Sequence, residues 1–290
     1  ASAVAQRQLQ KVRRRSWAEI LESDPASEEV IFPFLIGRDV NREIDQEPTR
    51  WIIDFGLMTK EAAEAYPGAM RHVRKHVYPL RKKNRRLSYA TYWWRFVEPR
   101  GGLRSALRSL EQAIVVPCVS PRMIAVRKKT QICFDHQLMV IALSDAYHLG
   151  ILQSRFHGLW ARARGSTLKG DLRYTNTTIF ETFPFPVQPD GSYRPRVRPR
   201  TDEAKDVERA AEAFEKERAR ACLEHRLGLT KIHNRLDAGA LPELAAAYSE
   251  LNDAVAACYG FAQGAWADDQ RALRLLLDLN HQLAREESRA

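Results

Sequence analysis

The sequence predicts a mixed α/β (α+β) domain followed by an α-helical C-terminal domain. Three observations predict it. Between residues 30 and 190, short β-branched and aromatic runs alternate with stretches of helical apolar spacing. Residues 187–200 then place Pro189, Gly191, Pro195 and Pro199 among arginines, which is a linker composition. Beyond Thr201 only helical patterns remain. The resulting division is a connecting segment over 1–29, a domain over 30–190, a linker over 191–200 and a helical domain over 201–290.

The elements follow in order. Residues 1–28 are polar and rich in Arg, with Asp24-Pro25 as a stop. Val30 to Ile36 is an apolar run carrying Pro33, so it reads as an edge strand or an extended entry. Trp51 to Phe55 is a second short strand, closed by Gly56. Thr59 opens a helical stretch that Pro67 interrupts and that resumes to Tyr78-Pro79. Leu103, Ala106, Leu107 and Leu110 give the next helix its apolar side. Strand-like runs follow at Ile114–Val119, Met123–Val126, Gln131–Phe134 and Leu138–Leu143. Asp145 caps one helix with Ile151, Leu152, Phe156, Leu159 and Trp160 on its apolar side. Arg173 to Phe183 is a strand or loop. In the tail, helices run from Thr201 to Leu227, where Gly228 ends the first, from Pro242 to Tyr259, and from Ala267 to Glu287. No internal repeat is present.

Composition bounds the function. The chain has 290 residues, 44% hydrophobic and 28% charged, enough apolar mass for a real core. No apolar run approaches the roughly 20 residues a membrane span needs, and the first residues lack the apolar stretch of a signal peptide. A cytoplasmic place is therefore expected. Four cysteines, none in a Cys-x-x-Cys pair, predict free thiols and no zinc site. The net charge of +10 is uneven. Residues 1–200 carry 34 Lys/Arg against 19 Asp/Glu, and residues 201–290 carry 12 against 17. That asymmetry points to a polyanion partner for the first part.

Common catalytic signatures are missing together. There is no Gly-rich strand-to-helix turn for S-adenosylmethionine, no Asn-Pro-Pro-Tyr loop for a flipped base, and no Walker-type phosphate loop. The carboxylates of the basic region, such as Asp39, Asp45 and Asp54, are scattered. His72 and His76 are four apart, but no Glu follows His72 as the zinc-protease motif requires, so they are ordinary histidines and no metal is expected.

Two stretches carry binding chemistry. From Arg71 to Arg108 there are twelve Lys/Arg and one acid, Glu98. A segment at +11 repels itself unless a polyanion neutralises it, and each phosphate contact releases counterions. The candidate phosphate contacts are Arg81, Lys82, Lys83, Arg85, Arg86, Arg95, Arg100 and Arg104. Tyr89, Tyr92, Trp93, Trp94 and Phe96 interleave the cluster, either as core or as a stacking surface. The second stretch is Lys169-Gly170-Asp171-Leu172-Arg173. If it is extended, alternate residues share a face, so Lys169, Asp171 and Arg173 point the same way. Lys and Arg donate to guanine O6/N7 and Asp accepts from cytosine N4, so this set can read bases; a surface salt-bridge ladder is the other reading.

Several segments resemble the C-terminal half of MmeI-like restriction–modification proteins, which fuse nuclease, N6-adenine methyltransferase and target recognition in one chain. They are Phe32-Pro33-Phe34-Leu35-Ile36-Gly37-Arg38-Asp39, Trp51-Ile52-Ile53-Asp54-Phe55-Gly56, and Tyr92-Trp93-Trp94 with Glu98-Pro99-Arg100. Further on come Gly150 to Trp160, Arg173-Tyr174-Thr175-Asn176-Thr177 through Phe183-Pro184-Phe185-Pro186, Leu229 to Asn234, and Leu251 to Gly260. The resemblance implies sequence-specific recognition of double-stranded DNA, with base contacts from Lys169, Asp171 and Arg173. It also implies a methyltransferase domain, with its S-adenosylmethionine, outside these residues; no cofactor is expected on this chain, which would be one part of a larger system. A stand-alone DNA- or RNA-binding protein and a protein-interaction scaffold with acidic helices are the alternatives.

Overall fold

In the computed structural model, which describes residues 11, 12, 14–96 and 98–288, the chain divides into two units. One comprises the chain through Leu35, Pro48–Ser109 and Thr130–Asp135; the other comprises Ile36–Glu47, Leu110–Lys129 and the chain from His136. The fold class is as predicted, a mixed α/β region followed by long helices between Asp202 and Glu287.

The first unit holds a four-stranded sheet in the order Lys11–Val12, Trp51–Ile53, Ile31–Leu35, Cys133–Phe134. The strand carrying Pro33 is thus internal and not the edge strand its proline suggests. Phe34 N–H donates to Arg50 O at 2.8 Å, so alternation aims position 33 away from Trp51–Ile53. On that other side the parallel pairing with Cys133–Phe134 begins only at Phe34. The missing N–H therefore falls where no partner strand is present.

Against this sheet lies a core of Ile20, Ile53, Phe55, Met70, Val73, Val77, Trp93 and Trp94, all buried. Thr59 caps the helical turn Lys60–Ala63, its hydroxyl accepting from Ala62 N–H at 3.2 Å. Pro67 then starts the helix Pro67–His76, as a first-turn proline can. The buried Asp24 carboxylate accepts from Gly68 N–H (2.7 Å) and from Ser27 Oγ, while Ser27 Oγ accepts from Ala69 N–H (3.0 Å). These bonds hold the Asp24 carboxyl below the ordinary range, the Ser27 hydroxyl contributing most and burial opposing them.

The second unit contains two three-stranded sheets. One has Gln112–Pro117 between Val126–Lys129 and Leu138–Ile141, all antiparallel. Its Ala113, Ile114, Val115 and Val116 are all buried, and the flanking strand starts three residues later than the apolar run Met123–Val126 suggests. The other sheet has Asp171–Arg173 between Val119–Ser120 and Ser166–Leu168.

Asp145 caps Ala146–Gln153 by accepting from His148 N–H at 2.9 Å. The single helix expected there is two, because Ser154 adopts an extended conformation, accepts from His157 N–H and restarts the chain as Arg155–Arg164. Thr201 caps Asp202–His225, which ends at Arg226 in the left-handed region. A further helix, Leu229–Asp237, follows Gly228, where the sequence suggests only a stop. The buried Arg218 donates to Ala125 O at 3.1 Å, and Arg127 pairs with Glu215 at 2.6 Å, tying the long helix to the sheet edge.

Among the described residues no helix is long and apolar enough to cross a membrane. No group of three or more His, Cys, Asp or Glu among them could hold a metal ion.

Candidate nucleic-acid interface

The basic segment lies in the first unit, and helical spacing sorts its cations. Val77 N–H donates to Val73 O and Arg81 N–H to Val77 O, so Val73, Val77 and Arg81 fall on one helix face. All three are buried, Arg81 to 2% exposure. Its Nη1 donates to Trp93 O at 2.9 Å and also to Arg95 O. Burial lowers this guanidinium to about 10, so it stays charged at neutral pH. Arg81 holds the 92–95 turn from inside and presents no face to a phosphate.

The residues just past it differ. Lys82, Lys83, Arg85 and Arg86 are exposed, and among the described residues none pairs with an acid. Arg100 is exposed and sits in the left-handed region at φ 50°. Arg95 and Arg104 are partly committed. Arg95 donates to Leu57 O at 3.1 Å and lies 4.1 Å from the Tyr92 ring centre, and Arg104 forms an ion pair with the buried Asp54. Of the aromatics, Trp93 and Trp94 are core, with Trp94 Nε1 donating to Met58 O at 3.0 Å. Tyr92 is 41% exposed. His72 and His76 lie ring to ring, 4.6 Å apart.

The second stretch lies in the second unit, and there the assumption of extension fails at one residue. Ser166–Leu168 and Asp171–Arg173 form a hairpin whose two-residue turn is Lys169-Gly170, with φ 54° and 90°. Two successive positive φ values suit the right-handed strand twist, and Gly170 takes its value without steric cost. Lys169 therefore stands at the tip and not on the strand ladder. Asp171 and Arg173 do alternate onto one face, as period two requires.

What seats this hairpin has no local signature in the sequence. Leu172, between them, is buried at 8% exposure. Gly165 precedes the hairpin, and a Cβ there would lie 2.5 Å from Ala161 O and 2.9 Å from Leu172 Cδ1, so only glycine permits the close approach. Tyr174 N–H donates to Cys118 O at 2.8 Å, and the buried Tyr174 hydroxyl lies 2.9 Å from His157 Nε2. The His157 ring meets Phe183 edge-on at 4.4 Å. Beyond Tyr174, Thr175 and Thr178 share a hydroxyl hydrogen bond, Asn176 donates to Glu181, and Asn176–Phe180 forms a π-helical turn. The Arg-Tyr-Thr-Asn-Thr motif is thus a self-bonded support below Arg173. Arg162, Arg164, Lys169 and Arg173 are all exposed along this stretch, so its surroundings are cationic.

Comparison with known proteins places this geometry in context. The family model described as MmeI, target recognition domain, matches residues 8–187. Among solved structures the chain is similar to the Type IIL restriction–modification enzyme MmeI, determined in complex with DNA, with a TM-score of 0.73 at 18% identity. The match covers 97% of this chain but only 34% of that one, and at this identity the likeness is one of fold. No curated protein matches the chain.

Proposed function

Since this chain belongs to the MmeI target recognition domain family, we propose that it reads a specific sequence of double-stranded DNA and positions a methyltransferase domain upon it. In this reading residues 30–190 recognise the site, residues 201–290 form a supporting helical tail beyond the 191–200 linker, and S-adenosylmethionine binds in the methyltransferase domain outside these residues. The proposed place of action is the cytoplasm. The observation that carries the proposal is the seated hairpin 166–173, whose buried side is fixed by Leu172 while Asp171 and Arg173 stand on the other. A two-stranded ribbon fits the major groove, where Asp accepts from cytosine N4 and Arg or Lys donates to guanine.

Selection of duplexes from a random pool by the chain tests this directly. A shared preferred sequence supports it. Preference for single strands supports an RNA or single-strand binder, and no binding at moderate salt supports a protein scaffold.

The backbone contacts are proposed for Lys82, Lys83, Arg85 and Arg86, with Arg95, Arg100 and Arg104 beside them; the buried Arg81 leaves this set. Replacing the four exposed cations with Ala should weaken binding to every sequence. The salt slope should flatten by about 0.9 for each phosphate no longer neutralised. Binding isotherms over a salt series measure it, and an unchanged slope removes these residues from the interface.

Base reading is proposed for Asp171, Arg173 and, reaching from the tip, Lys169. Exchanging Lys169→Glu together with Asp171→Arg should move the preference from G·C to C·G at one position, where the wrong base costs roughly 1–3 kcal/mol. Repeating the pool selection with this variant gives the answer. A retained consensus with retained affinity rules the assignment out.

A further inference from the structure

We infer that Leu168 reads a thymine, through contact with the C5-methyl group, at the base pair beside the one read from Asp171. The inference rests on the base-reading role proposed above for this hairpin and adds a residue that has no hydrogen-bonding group. Its ground is strand register. Leu168 pairs with Asp171, and Ser166 pairs with Arg173. Residues directly opposite in an antiparallel ladder project to the same side, and residues two apart on one strand do likewise. Ser166, Leu168, Asp171 and Arg173 therefore share one face of the hairpin. Thr167 and Leu172 share the opposite face, which Leu172 anchors by its burial.

On the outward face Leu168 is 52% exposed, with Lys169 next to it and Arg162 and Arg164 upstream, all exposed. A lone exposed leucine is ordinary on a protein surface. This one is singled out by its position opposite an acceptor on a rigidly seated ribbon with cationic surroundings. The thymine methyl is the one apolar feature among the base edges of the major groove. Paired Cβ atoms stand about 4.5–5.5 Å apart, more than the roughly 3.4 Å step between stacked bases, so Leu168 meets the neighbouring pair while Asp171 meets its own.

Uracil provides the test, because it removes the methyl group and leaves the hydrogen-bonding edge intact. The duplex preferred in the pool selection is resynthesised with each thymine in turn replaced by uracil, and binding of the whole chain is measured. For the native chain one replacement should weaken binding about fourfold, the worth of one methyl group removed from water. Leu168→Ala should bind the thymine duplex about as weakly as the native chain binds the uracil one, and should be indifferent to the replacement. Leu168→Met, which keeps an apolar contact, should remain sensitive. The inference is overturned if Leu168→Ala distinguishes thymine from uracil at every position as the native chain does. It is overturned equally if Leu168→Ala weakens all sequences alike, as a wedge or backbone contact would, or if no single uracil matters to the native chain. A pool that yields no preferred sequence overturns the base-reading role itself, which is a different result from a preferred sequence insensitive to Leu168.

Discussion

Arg81→Met is expected to destabilise the first unit by about 3 kcal/mol or more, while Lys82→Met, one residue on, changes stability by no more than about 0.5 kcal/mol. The two side chains stand in one run of charge but in opposite environments. Arg81 is buried and donates to the carbonyls of Trp93 and Arg95, with the Tyr89 ring 5.7 Å from its guanidinium. Those carbonyls belong to the turn that delivers Trp93 and Trp94 to the core, and Trp94 in turn donates to Met58 O. Methionine fills much of the space but offers no donor, so the carbonyls are left dry, at about 1–3 kcal/mol for each buried group unpaired. The guanidinium also brings its own desolvation cost, visible in its lowered pKa, which moderates the net loss. Urea unfolding of the two variants beside the native chain decides the matter. Equal midpoints for Arg81→Met and Lys82→Met would show that the buried bonds contribute nothing.

That contrast also measures how far the sequence could be read. The density of charge between Arg71 and Arg108 was legible, but the direction of each cation was not, because a run of consecutive charges masks helical period. The signal was nevertheless present: Val73, Val77 and Arg81 are spaced four apart, and extending the apolar stripe by one turn places Arg81 inside. Caps were legible because they are local chemistry; Thr59, Asp145 and Thr201 all accept from the third N–H beyond them. Pro33 misled because the rule against internal prolines concerns a missing donor, and here that donor would have faced a gap in the pairing. At the hairpin, Lys-Gly lacks the Asn or Asp that usually announces such a turn, so period two was carried one residue too far. Leu168 was invisible for the same reason, since its importance comes from a register that the turn defines. The seat formed by His157 and Tyr174 joins residues seventeen apart and leaves no local pattern.

Acid is expected to loosen the second unit as pH falls below about 6.5, and the buried rings of His157 and His233 are the cause. The His157 ring is fully buried, its Nε2 bonded to the Tyr174 hydroxyl at 2.9 Å and its Nδ1 without a partner. Burial holds its pKa at about 3, against about 6.5 in the unfolded chain. A folded pKa depressed in this way means that the native state keeps the ring neutral while the unfolded state takes up a proton. Stability is then complete above pH 6.5 or so and falls as pH drops through the window down to about 3, by about 1.4 kcal/mol per pH unit. Between pH 6.5 and 5 the loss is about 2 kcal/mol from this ring alone. His233, also lowered to about 3 by burial with help from the charges of Arg218 and Arg122, acts in the same direction. Burial works to raise the Asp145 carboxyl, but its bonds to His148 outweigh this and lower it, so its own contribution is lost only below about pH 4, at the acid end of the window. Urea midpoints at pH 7.5 and 5.0 measure the effect. His157→Gln keeps an amide able to bond Tyr174 and removes the titration, so it should begin less stable yet lose less on acidification. Parallel losses in the native chain and the variant would exclude His157. The consequence reaches the reading face, because Tyr174 directly follows Arg173 and its hydroxyl lies against this ring. Protonating His157 therefore weakens the seat of the very strand that carries Asp171 and Arg173.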